Sequence, residues 1–153
     1  SLENFLGDKS EVFASDISTK ALEVAKNNNE KNNTNVRFIE SNLFENIQEQ
    51  KFNIIVSNPP YIRSDVINKL SKQVQNEPHL ALDGGEDGLK FYKKIIEQAC
   101  NYIENGYLIL EIGYDQKEDV ENLLKENKNY SEIKTIQDFS GNDRCTIAKV
   151  GKI

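Results

Sequence analysis

Apolar residues recur along the chain with the two spacings typical of strands and helices. Short runs rich in β-branched and aromatic residues predict strands at Glu11–Ser15, Val36–Glu40, Phe52–Ser57, Tyr107–Ile112, Ile133–Asp138 and Cys145–Val150. Apolar residues at helical spacing predict helices at Ser18–Asn32, Leu89–Glu104 and Asp115–Asn127. Ser18 is suited to cap the first helix, and Gly106 is suited to the position just past the end of the second.

The order of these elements predicts the topology of the sheet. Strands alternate with helices over most of the chain, which is typical of a mostly parallel sheet with helices on both faces. No helix separates the last two strands, and Gly141 and Asn142 between them favour a turn. We therefore expect an α/β fold with an antiparallel C-terminal pair at one edge. Because neither a linker nor an internal repeat is found, residues 1–153 are interpreted as a single domain.

Composition and charge exclude several classes of function. The chain has 153 residues, 37% of them hydrophobic, and 25 Asp and Glu against 19 Lys and Arg give a net charge of -6. This balance excludes an overall basic nucleic-acid-binding protein, although a local basic patch stays open. No apolar run approaches the roughly 20 residues of a membrane-spanning helix. Cys100 and Cys145 lack C-x-x-C spacing, so we expect no disulfide framework, no zinc cluster and a reducing cytoplasm as the location.

The clearest chemical signal is Asn58-Pro59-Pro60-Tyr61, directly after the strand predicted at Phe52–Ser57. Ligands of open α/β sheets bind outside the carboxyl ends of the strands, where this loop is expected. Two consecutive prolines fix two φ angles and remove two N–H donors. The result is a stiff loop that presents carbonyl acceptors, a side-chain amide and an aromatic ring.

Such a loop suits a planar –NH2 group. Asn58 Oδ1 and the Pro59 carbonyl oxygen can each accept one of its hydrogens while Tyr61 packs on its plane. These hydrogen bonds raise the electron density on nitrogen and direct its lone pair at an electrophile, so the rate gain comes from positioning and electrostatics. The alternative is an ordinary turn at the end of a strand, because Asn-Pro is a common turn dipeptide.

Three segments together carry a family resemblance. They are Val56-Ser57-Asn58-Pro59-Pro60-Tyr61-Ile62, Glu77-Pro78-x-Leu80-Ala81-Leu82-x-Gly84-Gly85-x-Asp87-Gly88-Leu89-x-Phe91-Tyr92 and Leu110-Glu111-Ile112-Gly113-Tyr114-Asp115-Gln116. The chain resembles the HemK/PrmC family of protein-(glutamine-N5) methyltransferases from about Glu11 to Val150. The N-P-P-Y motif alone is shared with adenine-N6 DNA methyltransferases, whereas the second segment is far more specific.

The resemblance implies a Rossmann-like fold that uses S-adenosylmethionine as cofactor. It also implies a substrate, the glutamine in the Gly-Gly-Gln loop of class I peptide chain release factors, whose side-chain amide nitrogen is methylated. Asn58, Pro59, Pro60 and Tyr61 are then the catalytic residues, and Asn58 also contacts the cofactor.

Two further strand ends match cofactor-binding positions of the family. Asp16, followed by Ile17, stands where the family holds the ribose of the cofactor, although Asp16 can also cap the helix that follows. Asn42 and Leu43 stand where the family usually reads D-x-F and contacts adenine. Asn42 keeps an acceptor oxygen but lacks the acidic charge, and Leu43 is expected to pack on the base.

The Gly-rich loop that holds the amino-acid part of the cofactor is not found. It should precede Asp16 by roughly 20 residues, which places it before Ser1. Gly7 is the only nearby glycine and lies in a predicted helix end. The chain is therefore interpreted as an N-terminally truncated catalytic domain that lacks its first strand. We expect closure of the gap, pairing with another molecule or marginal stability, each of which weakens cofactor binding.

The segment Asp83–Gly88 is acidic and rich in glycine. A calcium loop needs Glu at its twelfth position, and counting from Asp83 that position is Lys94, so no metal site is expected. The segment is interpreted as a flexible connection and a candidate lid over the substrate. Glu111, at a predicted strand end, is either a ligand for a positive or amide group or a solvated strand end.

Two other functions stay open from the sequence. One is adenine-N6 DNA methylation, against which the acidic balance argues because DNA binding depends on Lys and Arg contacts to phosphate. The other is a cofactor-free, inactive fragment or interaction module, suggested by the absent Gly-rich loop. The expected partners are release factors, with DNA disfavoured, no membrane, and self-association through the gap in the sheet.

Overall fold

The computed structural model describes residues 2–151, except for the side chain of Asp8. The helices are α1 (Leu2–Leu6), α2 (Thr19–Lys31), α3 (Ser64–Ile67), α4 (Lys72–Gln75), α5 (His79–Leu82), α6 (Lys90–Ala99) and α7 (Lys117–Glu126). The strands are β1 (Phe13–Asp16), β2 (Arg37–Glu40), β3 (Phe52–Ser57), β4 (Ile103–Glu111), β5 (Tyr130–Gln137) and β6 (Asp143–Val150). Each predicted strand and helix is present, and three short helices, α3 to α5, were not predicted.

The chain divides into two compact units, Ser1–Gln50 and Lys51–Ile153. In the first unit, β1 and β2 form a parallel two-stranded sheet. The prediction that Ser18 caps α2 is confirmed, because its side-chain oxygen accepts the N–H of Ala21 at 3.3 Å. Leu22, in the first turns of α2, is buried.

In the second unit the strand order is β3-β4-β6-β5. β3 and β4 are parallel, whereas β6 is antiparallel to both β4 and β5. The predicted antiparallel C-terminal pair is therefore confirmed, with β5 at the edge of the sheet. The fully or almost fully buried side chains come from α6, α7, β4 and β6: Tyr92, Ile95, Ile96, Ala99, Leu108, Leu110, Val120, Leu124, Ala148 and Val150.

The predicted end of the second helix is wrong. α6 ends at Ala99, and the chain is already in β4 at Ile103, whose side chain is buried. Gly106 does not terminate a helix but lies within β4, opposite Val150. A Cβ on Gly106 would lie 1.9 Å from the backbone oxygen of Asn53. Glycine is thus required by the close approach of β3, which local sequence does not reveal.

The outer strand β3 leaves part of the second sheet exposed. Ile54 is 49% exposed and Val56 is 52% exposed. Both side chains are aliphatic, and such an outer strand is a place where a further strand can add. Within residues 2–151, none of the helices combines the length and the apolarity needed to cross a bilayer.

Candidate functional site

The carboxyl ends of β1 and β2 lie side by side in the first unit. Asp16 pairs in register with Glu40, and the N–H of Ser41 donates to the Asp16 carbonyl oxygen at 3.0 Å. One carboxylate oxygen of Asp16, Oδ1, accepts the N–H of Ser18 at 2.8 Å. The other oxygen, Oδ2, has no hydrogen-bond partner among the described residues, and the side chain is exposed. Asp16 therefore supports the start of α2 and keeps one acceptor available, and the neighbouring Ile17 is 47% exposed.

Asn42 and Leu43 lie in the turn that follows β2, whose last residue, Glu40, pairs with Asp16 of β1. Asn42 Nδ2 donates to Glu45 Oε1 at 2.7 Å, which leaves Asn42 Oδ1 as an available acceptor. Leu43 has a φ of 53°, in the left-handed region that side chains other than glycine rarely adopt. The buried hydroxyl of Ser41 stabilises this conformation by donating to the Leu43 carbonyl oxygen at 2.9 Å. The support from Ser41 was not predicted.

The loop Asn58–Tyr61 follows β3 directly, as predicted. Asn58 is exposed, and among the described residues its side chain has no hydrogen-bond partner. Pro59 is buried, whereas Pro60 and Tyr61 are half-buried. The loop is therefore partly packed within the second unit, whereas Asn58 is open to solvent, where a ligand can reach it.

Backbone hydrogen bonds fix the chain just after this loop. The N–H of Ile62 donates to the Leu82 carbonyl oxygen at 3.0 Å, and the N–H of Gly84 donates to the Ile62 carbonyl oxygen at 2.8 Å. Tyr61 itself is held through its carbonyl oxygen, which accepts Gln116 Nε2 at 3.0 Å. The loop is thus joined to the segment before α6 and to the residue before α7.

The glycine-rich segment Asp83–Gly88 packs on the backbone of Tyr61. A Cβ on Gly84 would lie 2.7 Å from the Tyr61 Cα, and a Cβ on Gly88 would lie 2.6 Å from the Tyr61 carbonyl oxygen. The N–H of Ser64 also donates to the Gly85 carbonyl oxygen at 3.0 Å. The glycines therefore permit close packing of this segment on the loop, and its interpretation as a lid over the substrate stays a prediction.

Asp83 stabilises this segment through its carboxylate. Asp83 Oδ1 accepts the Ser64 hydroxyl at 2.6 Å and the N–H of Gly85 at 3.0 Å. The hydrogen bond from Ser64, followed by that from Gly85, lowers the pKa of Asp83 below its ordinary value. Within the described residues, no group of three or more His, Cys, Asp and Glu side chains is arranged to hold a metal ion.

A carboxylate and a guanidinium both affect the pKa of Tyr61. Burial and then the negative charge of Glu111 raise the pKa of Tyr61, and the nearby Arg144 opposes this increase. Arg144 is itself anchored by donating to the Ile112 carbonyl oxygen at 3.3 Å and to Asp138 Oδ2 at 3.3 Å. Tyr61 is therefore neutral near pH 7. Glu111 is half-buried at the end of β4, and its role as a ligand for a positive or amide group stays a prediction.

The family model of the methyltransferase small domain matches residues 5–82. The chain belongs to this methyltransferase family. The match includes both strand ends of the first unit and the whole Asn58–Tyr61 loop.

Curated relatives narrow the resemblance. A release factor glutamine methyltransferase of Fusobacterium nucleatum is 45% identical over 144 residues, which is 92% of this chain and 40% of the relative. One of Agrobacterium fabrum is 46% identical over 136 residues, which is 86% of this chain and 46% of the relative. The resemblance to the glutamine methyltransferases is thus confirmed, and the chain spans about half the length of the curated relatives it matches.

The fold agrees with that of solved methyltransferases. The crystal structure of a methyltransferase from Pyrococcus furiosus superimposes with a TM-score of 0.67 and covers 99% of this chain and 70% of that one. Its sequence identity is 21%, so this likeness concerns the fold alone. The predicted Rossmann-like α/β fold of the methyltransferases is confirmed.

Proposed function

We propose that this chain transfers a methyl group from S-adenosylmethionine to the side-chain amide nitrogen, N5, of a glutamine in a class I peptide chain release factor. The glutamine is that of the Gly-Gly-Gln loop. The observation that carries the proposal is the Asn58–Tyr61 loop, in which an exposed carboxamide stands on a backbone fixed at its far end. The names of the curated relatives support the substrate class.

Each residue of the loop has its own role in binding and orienting the substrate amide. Asn58 Oδ1 and the Pro59 carbonyl oxygen accept the two amide hydrogens, which holds the nitrogen lone pair in one direction. Pro60 keeps the loop rigid, and the Tyr61 ring stacks on the plane of the amide. The Tyr61 hydroxyl, whose pKa is raised further above neutrality, stays protonated, so no phenolate charge competes with Asn58 for the amide hydrogens.

The strand ends of the first unit fit the cofactor. S-adenosylmethionine, when bound, supplies a methyl group on a positively charged sulfur. Asp16 Oδ2 is available to accept hydrogen bonds from ribose hydroxyls, and Asn42 Oδ1 is available to accept one from the adenine amino group. Ile17 and Leu43 supply apolar contacts to the cofactor, and the family resemblance adds Asn58 as a further cofactor-binding residue.

The main experiment compares methyl acceptors. With cofactor labelled in its methyl group, we expect label in a class I release factor and none in duplex DNA, the acceptor of adenine-N6 methyltransferases. Asn58→Ala should lower kcat about 100-fold, because the amide loses an orienting acceptor. Asn76→Ala is the matched control, since Asn76 is exposed and its side chain has no described hydrogen bond. Label in DNA alone would refute the proposed substrate.

A binding measurement separates the enzyme from an inactive fragment. We expect calorimetric titration with S-adenosylhomocysteine to give a Kd in the micromolar range, or about -8 kcal/mol at 1 μM. The absence of binding would instead support a cofactor-free module. Residues 1–153 are proposed to act as a single catalytic domain in the cytoplasm, where translation factors act.

We also propose self-association through β3, supported by the half-exposed Ile54 and Val56 on this outer strand. Sedimentation velocity should then show a larger species as the protein concentration rises. Ile54→Lys should reduce it, because charge on an outer strand disfavours strand addition. A concentration-independent monomer would contradict this proposal without affecting the proposed reaction.

A further inference from the structure

Gln116 is one of the few polar side chains that the described fold buries. It lies immediately before α7 and is 7% exposed, and the other buried polar residues among residues 2–151 are Ser41 and Thr146. A buried carboxamide costs free energy unless its polar atoms find partners. The partners of Gln116 therefore indicate its role.

Both ends of the Gln116 carboxamide are hydrogen-bonded. Nε2 donates to the carbonyl oxygen of Tyr61 at 3.0 Å and to that of Gly88 at 3.3 Å. Oε1 accepts the N–H of Gly113 at 2.9 Å, and the hydroxyl of Tyr92 lies 3.5 Å from the same oxygen. One carboxamide thus joins the loop after β3 to the segment before α6 and to the turn after β4.

The loop itself makes few backbone hydrogen bonds. Pro59 and Pro60 have no N–H to donate. Within the described residues, the bond from Gln116 is the one hydrogen bond made to the backbone of Pro59–Tyr61. The peptide unit between Tyr61 and Ile62 is thus held at both polar atoms, its N–H by the Leu82 carbonyl oxygen and its carbonyl oxygen by Gln116. The stiff diproline unit transmits the position of this peptide to Asn58.

Two glycines leave the space that this arrangement needs. A Cβ on Gly88 would lie 2.7 Å from Gln116 Nε2, and a Cβ on Gly113 would lie 2.7 Å from Gln116 Oε1. Gly88 also has a φ of +74°, which disfavours other residues. Both glycines are therefore needed for their backbone groups to approach the carboxamide closely.

We propose that Gln116 is a positioning residue that sets the Asn58–Tyr61 loop in the geometry required to orient the substrate amide. The inference rests on the proposed function. Gln116 acts through the Tyr61 carbonyl oxygen and does not itself touch the substrate. Its contribution is to the orientation of bound substrate, so kcat rather than KM depends on it.

The substitution that tests this is Gln116→Glu. The introduced carboxylate matches the shape of glutamine and still accepts the Gly113 N–H, but it cannot donate to the carbonyl oxygens of Tyr61 and Gly88. With a peptide that contains Gly-Gly-Gln, we expect kcat to fall about 100-fold, as for a reacting group misplaced by about 1 Å. KM for the peptide and Kd for S-adenosylhomocysteine should stay within about twofold. An unchanged kcat, or a parallel loss of cofactor binding, would overturn the inference.

A pH series supplies a readout that does not depend on activity. Burial and the two facing carbonyl oxygens raise the pKa of the introduced carboxyl, so the folded variant binds a proton before the unfolded chain does. Its stability therefore rises as the pH falls, because the protonated carboxyl can again donate one hydrogen bond. The Tm difference between the parent chain and Gln116→Glu should narrow from about pH 8 to about pH 5.5. A Tm difference that stays constant over this pH range would contradict the proposed hydrogen bond from Gln116 to the Tyr61 carbonyl oxygen.

Two further variants serve as controls. Gln116→Met has a similar volume and no proton to gain, so its Tm difference should not narrow with pH. Gln73→Glu makes the same chemical change at an exposed position of α4 with no described side-chain hydrogen bond, and should leave kcat and Tm unchanged. A narrowing for Gln116→Met would overturn the inference.

Hydrogen exchange separates the two proposals if the parent chain methylates no peptide. In that case the proposed function fails, and the exchange of the Ile62 amide, whose N–H donates to the Leu82 carbonyl oxygen, still tests the effect of the hydrogen bond from Gln116 to the adjoining Tyr61 carbonyl oxygen. The proposed role of Gln116 is supported if this amide exchanges faster in Gln116→Glu than in the parent chain, and if the difference between the two proteins becomes smaller at low pH. Equal exchange in both proteins overturns it.

Discussion

The two compact units hold their candidate site residues in different ways. In Lys51–Ile153, the Asn58–Tyr61 loop is fixed by Gln116, a buried side chain distant in sequence, and stands on a sheet covered by α6 and α7. In Ser1–Gln50, Asp16 and Asn42 are exposed or half-buried, and their side chains bond to residues close in sequence. Among the described residues of that unit, Leu22 is the one hydrophobic residue whose side chain is buried.

This difference concerns preorganisation. A loop supported by a packed core keeps the same conformation with and without ligand. A two-stranded sheet has little intrinsic stability, so the residues on it are less firmly held. We therefore expect the substrate loop to be ordered in the free protein and the cofactor-binding strand ends to gain order on binding.

The largest expected effect is the loss of core packing in the second unit. Leu110 is fully buried in β4, so Leu110→Ala should lower the free energy of unfolding by about 2–5 kcal/mol. Leu22→Ala, in the first unit, should leave the main transition in a urea titration nearly unchanged. Equal shifts of that transition in Leu110→Ala and Leu22→Ala would mean that the two units unfold together, and would contradict the proposed difference in their stability.

Amide hydrogen exchange should show the next largest contrast. Amides of β1 and β2 should exchange about 100-fold faster than those of β4 and β6, because few buried contacts oppose local opening in the first unit. S-adenosylhomocysteine should slow exchange in β1 and β2 and leave β6 unchanged. Comparable protection of all four strands in the free chain would contradict the proposed difference in order.

A substitution at the cofactor-binding edge should have a moderate effect. Asp16→Asn keeps an oxygen for the Ser18 N–H but loses the carboxylate charge, so the Kd of S-adenosylhomocysteine should rise about tenfold. Glu30→Gln removes the same charge from an exposed position in the same unit and should leave the Kd unchanged. Calorimetric titration of both variants with S-adenosylhomocysteine measures the two Kd values. An equal increase in both would mean that the net charge of the protein, and not the position of Asp16, determines the Kd.

The smallest expected effect concerns the support of the substrate loop by Asp83. Because its folded pKa is lowered, the stabilisation is present above the unfolded pKa of about 3.9 and is lost as the pH falls through the folded pKa. Asp83→Asn should therefore lower the Tm slightly at neutral pH and not at pH values below both pKa values. Glu86→Gln, at an exposed position of the same segment, should show no such pH dependence. A Tm difference between Asp83→Asn and the parent chain that persists below both pKa values would show that the stabilisation does not come from the ionised Asp83 carboxylate.

Much of the fold follows from local patterns. β3 and the loop after it were predicted at their observed positions because a short apolar run, its length and two prolines are all local signals. Gly106 was misinterpreted because its requirement comes from Asn53 on the neighbouring strand. The short helices α3 to α5 were missed because a helix of four residues has almost no periodic signal.

The site was only partly predictable for a related reason. Residue type and position after a strand indicated Asn58, Tyr61 and Asp16, whereas Asn42 was indicated by the family resemblance. The role of Gln116 depends on a hydrogen bond to a residue 55 positions away, which no spacing rule contains. Its one sequence signal was its place at the end of the third motif.

The diproline unit has a practical consequence for following this loop in solution. Spectra and exchange profiles built on backbone amide protons carry no signal from Pro59 or Pro60, so sequential assignment is interrupted at the residues that matter most to the proposed reaction. Carbon-detected resonances of the proline rings, together with the carboxamide protons of Asn58 as probes of ligand contact, would report on this corner directly.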